Sequence, residues 1–232
     1  MTVPTTTRAE APVTDSPSVS TARSPLRAVL VAVIALALVV LGGGLAVLLG
    51  LGGETQARPG TVDVGFSRDM STHHLQGVEM ANLVADHSQD PAVRGLAFDI
   101  SSTQTNQVGR MQGWLALWGY SPTGGDQMAW MGGDMGHMHM DAGGTLLMPG
   151  MATEDELANL RSLSGGAFDV EFLRLMIRHH QGGLGMAQYA AAHGESEVVR
   201  TLAKSIADSQ TAETTLMTGM LADRGGTPLP AP

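Results

Sequence analysis

The chain contains no cysteine, which excludes disulfides, thiolate zinc sites, iron–sulfur clusters and cysteine nucleophiles at once. A soft metal ion would have to be held by methionine or histidine. Aromatic residues make up 4% and charged residues 15% of the 232 positions, and the formal charge is −9. That leaves neither base-stacking platforms nor a basic surface, so nucleic acid is not expected as a partner. A Gly-x-Ser-x-Gly elbow, a Walker loop and a dinucleotide fingerprint are also missing, and hydrolysis and phosphoryl transfer find no support. What the chain does have is 15 methionines and 8 histidines, and their positions carry the functional information.

Residues 1–25 are rich in Thr, Ser, Pro and Ala, too poor in apolar surface to offset the entropy of ordering, and read as a disordered cytoplasmic tail. Residues 26–53 read as a transmembrane anchor. From Ala28 to Gly53 there is no charge, a run long enough to cross a bilayer as a helix. Arg8, Arg23 and Arg27 precede it and Glu54 follows, which places the N-terminus in the cytoplasm and the C-terminal domain outside a cell membrane crossed once. A cleaved secretory signal would export the domain equally. Three arginines and two acids fall within residues 1–53, leaving ten basic against twenty acidic residues, −10, on the exported part. Such a surface attracts cations weakly.

After a linker at 54–61, the chain repeats itself. Phe66, Arg68, Met70, His73, His74, Gly77, Met80 and His87 recur 106 residues later as Phe172, Arg174, Met176, His179, His180, Gly183, Met186 and His193. The match continues without a gap from Val93, Leu96 and Gln104 to Val199, Leu202 and Gln210, which indicates an internal repeat. Each copy reads as a helical hairpin. The first helix runs from about Val62 to His87; Asp90 is the N-cap of the second with Pro91 at its first position, and Ser196 stands at the equivalent place. In the second helix Val93, Leu96, Ala97, Ile100, Met111 and Leu115 fall at three- and four-residue spacing, one buried face. Gly119 and Gly225 mark the ends.

Strand alternation is not evident, so the expected fold is all-α: a four-helix bundle over 62–224, preceded by the membrane helix. Repeat 1 spans 62–119 and repeat 2 spans 167–224, with a tail at 225–232. The crossover at 120–166 is rich in Gly, Met and His and carries a short helix from a Thr153/Glu156 capping box to Leu163.

On a helix, His73, Met80 and His87 fall nearly on one line, with Met70 and His74 flanking His73. Met176, His179, His180, Met186 and His193 repeat the pattern. Imidazole and thioether together suit copper, Cu(I) especially, better than magnesium or calcium. The expected ligands are therefore Met70, His73, His74, Met80, Met176, His179, His180 and Met186. His87 and His193 are weaker candidates, since a histidine near a helix end also complements the helix dipole. In the crossover, Met131, Met135, His137, Met138, His139 and Met140 alternate with glycine and suit either a soft ion or a linker of skewed composition. Gln104, Gln107, Gln210 and Glu213 share the apolar faces and can orient imidazoles. Because the long crossover makes the first and third helices antiparallel, His73, His74, His179 and His180 are expected to converge, with the four methionines around them.

The segments FSRDMSTHHLQGVEMA, DISSTQ, MQGWLALWG, MPGMATEDEL and FDVEFLRLMIRHHQGGLGMA resemble the domain-of-unknown-function 305 family over nearly all of residues 62–224, with both His-His-x5-Met motifs intact. The resemblance implies a ferritin-like four-helix bundle, usually exported, with copper binding and metal tolerance attributed to characterised members. The family commonly has Ala where Gly77 and Gly183 stand, and a larger residue than Gly185; glycines there loosen helix interiors. The function read from the chain is an anchored extracytoplasmic protein that sequesters or delivers copper without turnover. It has metal ion and membrane as partners and leaves room for a homo-oligomer or a copper-handling partner. Two other readings stay open: a ferritin-like metal-dependent oxidase or redox enzyme, disfavoured because Glu-x-x-His is absent, and a metal-free interaction bundle.

Overall fold

Asp90 accepts the backbone N–H groups of Ala92 (2.8 Å) and Val93 (3.3 Å) ahead of Pro91, so a helix starts where the local chemistry demands one. The computed structural model describes residues 60–132, 139–140 and 146–232, together with residue 29 and residues 32–38. The tail expected at 1–25, most of the anchor expected at 26–53, and Met135, His137 and Met138 lie outside the described residues. Residues 32–38 are helical, and among the described residues no helix is long and apolar enough to cross a membrane. Residues 57–232 form one unit, and among its described residues five helices succeed one another: α1 (Thr61–His87), α2 (Pro91–Leu117), α3 (Glu154–Ser162), α4 (Gly165–His193) and α5 (Glu197–Asp223).

α1 packs along α2 and α4 along α5, and the two hairpins meet through α1 and α4. These two helices are antiparallel. At one end Asp63, in the first turn of α1, accepts the Ser196 N–H just beyond α4 (3.0 Å); at the other, His87 stacks on Phe168 near the start of α4, ring centroids 5.1 Å apart. The Asp63 contact corrects one expectation, because the Ser196 side chain makes no cap bond. The α5 N-terminus is held instead by a carboxylate from the facing hairpin.

Equivalent positions make equivalent bonds. Arg68 Nε donates to Ser121 O and Arg174 Nε to Thr227 O; both hairpins close on a left-handed glycine, Gly119 (φ 78°) and Gly225 (φ 70°). The crossover leaves α2, forms a single 3-10 turn at Ala129–Met131, and includes a two-residue antiparallel ladder, β1 (His139–Met140) with β2 (Leu146–Leu147). The ladder was not expected from the sequence, because two residues are too few to show alternation. α3 follows with its expected capping box, Glu156 N–H to Thr153 Oγ1 and Thr153 N–H to Glu156 Oε2. Arg178 of α4 donates two bonds to Glu156 (2.8 and 2.6 Å), fastening α3 to the bundle.

The core divides into two buried clusters. One gathers Met80, Met176 and Met217 with the leucines of α3 and Phe168 and Phe172. The other gathers Met70, Met111 and Met186 with the crossover residues Met128, Trp130, Met131 and Met148.

Candidate metal centre

Halfway along α1 and α4, four histidines are driven inward. His73, His74, His179 and His180 are each 0% exposed, and the rings of His73 and His179 lie 3.9 Å apart at 34° across the hairpin interface. Their close approach depends on two glycines. A Cβ on Gly77 would stand 3.1 Å from His179 Cε1 and 2.4 Å from Gln104 Oε1; a Cβ on Gly183 would stand 3.1 Å from His73 Cε1 and 3.0 Å from Gln210 Oε1. Gly77 and Gly183 therefore make room for an imidazole and a carboxamide from neighbouring helices, a role beyond the loosening expected from helix propensity.

Each imidazole has one nitrogen committed. His73 Nε2 donates to Pro149 O (3.1 Å) and His179 Nε2 to the His73 backbone oxygen (2.9 Å). His74 Nε2 donates to Gln107 Oε1 and His180 Nε2 to Glu213 Oε2, both at 2.7 Å. A carbonyl or carboxylate oxygen only accepts, so a hydrogen sits on Nε2 in all four rings, and in a neutral ring the Nδ1 lone pair is bare. All four Nδ1 atoms are buried without a protein partner, as are both polar atoms of Gln104 and of Gln210. An unpaired buried polar atom costs about 1–3 kcal/mol, and a ligand that engaged these atoms would relieve that cost.

Burial also keeps His73, His74 and His179 neutral. Desolvation holds His73 down to about 4, against the opposing effect of its bond to Pro149 O. Desolvation, and then the neighbouring His73, hold His74 down to about 3. His179 is lowered well below the ordinary range by the same burial and by His73. Neutral rings with a bare Nδ1 are what a soft cation requires.

Among the described residues no three His, Asp or Glu groups already stand in a ligating arrangement. The residues that would hold an ion here are His73, His74, His179 and His180, through Nδ1. The imidazole and thioether donor types fit Cu(I). They supply no bridging carboxylate pair, the element a ferritin-type oxidase needs.

The other expected ligands are spread more widely. Met70 and Met186 lie in one core cluster and Met80 and Met176 in the other, so the methionines flank the histidines on two sides instead of surrounding them as one ring. His87 is fourteen residues from His73, about 21 Å along a helix; its Nδ1 bonds Leu163 O (2.7 Å). His193 sits at the opposite end of the bundle against Tyr189, centroids 4.3 Å apart. Neither joins the central group. Met131 is buried in the crossover cluster, and the backbone of His139 and Met140 forms β1.

Three participants were not anticipated: the Pro149 carbonyl, Gly182 beneath it, and Asp69. A Cβ on Gly182 would lie 1.9 Å from Pro149 O, so only glycine lets the crossover lie on α4 and reach His73. Asp69 is buried, and its Oδ2 accepts from Met128 N (2.8 Å) and Trp130 Nε1 (2.7 Å), docking the 3-10 turn on α1. The adjacent double glycine at 182–183 and the MPG triplet at 148–150 were the only sequence signals of this contact.

No curated protein matches the chain. Among solved structures, a DUF305 protein of Streptomyces coelicolor is 41% identical, covering 72% of this chain and 96% of its own, with a TM-score of 0.66. A DUF305 fragment from Deinococcus radiodurans is 32% identical, covering 71% and 98%, with a TM-score of 0.58. CopM in the Cu(II)-bound form is 27% identical, covering 69% and 96%, with a TM-score of 0.55; its Cu(I)-bound form is 25% identical, with a TM-score of 0.54. With two His-His pairs meeting inside a helical bundle and a family model spanning residues 63–221, this chain belongs to the family described as Domain of unknown function (DUF305).

Proposed function

We propose that the protein is a membrane-anchored, extracytoplasmic copper-binding protein that sequesters the ion or hands it on, with no reaction turned over. The observation that carries this reading is the set of four buried imidazoles, each with Nε2 bonded and Nδ1 without a partner. Similarity to CopM, solved with Cu(I) and with Cu(II), supports the choice of metal. His73, His74, His179 and His180 hold the ion, and Met70, Met80, Met176 and Met186 supply thioethers from either side. Gln107 and Glu213 fix the tautomer and raise the donor strength of the rings they face. Repeat hairpins in a ferritin-like arrangement then serve as a scaffold whose pseudo-dyad brings two weak half-sites together.

The test is titration of the full chain in detergent with Cu(I) under reducing conditions, following imidazole 15N resonances. Nδ1 shifts in all four rings are expected near neutral pH, with no response to Mg(II) or Ca(II); unshifted rings would defeat the reading. The anchor has its own test. In intact cells an N-terminal tag should be protected from external protease and a C-terminal tag cleaved, whereas a mature chain beginning after Gly53 would replace the anchor by a signal.

A further inference from the structure

The crossover end of the core holds six methionines, Met70, Met111, Met128, Met131, Met148 and Met186, all 7% exposed or less. Methionine is a good filler of apolar gaps, so burial alone says little. The molecule contains its own control. Met70, Met111 and Met186 have counterparts at the other end, Met176, Met217 and Met80, and there the covering segment supplies Leu157, Leu160 and Leu163. Leucine and methionine are close to interchangeable in volume, so packing does not dictate thioethers at one cap and leucines at the other.

Met128 adds a second, independent observation. Its backbone is left-handed (φ 61°), the only non-glycine residue so placed among the described residues. That conformation costs a β-carbon-bearing residue about 1–2 kcal/mol, and glycine would adopt it freely. The chain instead keeps methionine there, with the side chain 1% exposed and the N–H held by buried Asp69. The strain is accepted in order to put a sulfur inside.

The geometry points to a second soft-metal site, formed by the thioethers of Met128, Met131 and Met148 together with Met70 and Met186, for one monovalent Cu(I) or Ag(I) ion. It rests on the copper reading for the identity of the ion; Met128, Met131 and Met148 are donors that the imidazole site does not use, while Met70 and Met186 are shared by the two. It also adjoins the imidazoles: Met148 precedes Pro149, whose carbonyl receives His73 Nε2, and Met70 lies one turn before His73. A cleft of about 540 Å³ lined by Asp69, Asp126, Ala129 and Trp130, with Arg68, opens on the outer side of the same turn.

The experiment uses the full chain in detergent, labelled with 13C at the methionine ε-methyls and 15N in histidine, titrated with Ag(I) in chloride-free buffer. Methyl resonances of Met128, Met131 and Met148 are expected to shift together with those of Met70 and Met186. Met128→Leu combined with Met148→Leu should weaken that event at least about tenfold while the imidazole shifts persist. Should the double variant not fold, the labelled wild-type chain decides by itself. Imidazole shifts with unmoved crossover methyls would overturn the thioether site alone. Crossover methyl shifts with unmoved imidazoles would uphold it and defeat the histidine reading.

Discussion

His179 lies against His73 across the hairpin interface, with ring centroids 3.9 Å apart and its Nε2–H donating to the backbone oxygen of His73 itself. The two halves of the repeat are therefore joined through the residues proposed to bind the ion. If they form one site, His73→Ala and His179→Ala each abolish the same high-affinity Ag(I) event in calorimetry, and the double variant loses little more than either single one. A coupling of about 0.5–3 kcal/mol is the expected scale for residues in contact. Additive losses would show two separate sites.

Acid should destabilise the metal-free protein. The unfolded chain protonates histidine near 6.5, whereas His73 and His74 in the fold resist until about 4 and about 3. Between those values the unfolded state binds more protons, so unfolding free energy falls as pH drops from about 6.5 toward 4, by up to about 1.4 kcal/mol per pH unit for each ring. Denaturant melts at several pH values with chelator present read the slope directly; a flat profile over that window would show that the rings are not buried neutral. The same depression means that proton competition with copper begins well below the range expected for a free imidazole.

Two neighbouring glycines should respond in opposite directions. Gly182→Ala drives a Cβ into Pro149 O, a backbone atom that cannot step aside, and should cost about 1–3 kcal/mol while freeing His73 Nε2. A Cβ on Gly185 meets nothing within 4 Å, so Gly185→Ala should stabilise α4 by about 0.5–1 kcal/mol. Thermal melts of the two variants give the comparison, and equal effects would contradict the packing of the crossover on α4.

Asp69→Asn should loosen the turn at Ala129–Met131. The carboxylate accepts two bonds there, and an amide accepting in its place donates where no acceptor is provided; the expected loss is about 1–3 kcal/mol. Trp130 is 8% exposed and 5.9 Å from Phe66, so a red shift of its fluorescence and faster amide exchange at Met128 report the release. Unchanged emission and exchange would mean that the turn is held by packing alone.

Much of the helical framework was legible because it is local. Asp90 before Pro91, the Thr153/Glu156 box, and Gly119 and Gly225 past the last apolar positions act over three or four residues, the range over which a helix end must satisfy its own backbone groups. The 106-residue repeat and the inward face bearing His73, His74, His179 and His180 follow from periodicity in the same way. Ser196 went differently because its partner, Asp63, lies 133 positions away.

The residue types at the centre, soft and neutral donors without cysteine, were determined by the sequence alone, and they suffice to select a class of metal. Which nitrogen of each ring is left bare was decided only by the tertiary structure. The acceptors for His73 and His179 are backbone oxygens 76 and 106 positions distant, and any residue type can supply a backbone oxygen, so composition carries no trace of it. The partition of the methionines has the same origin: spacing placed Met70 and Met80 on one face, but the antiparallel meeting of α1 with α4 sent them to opposite sides of the histidines.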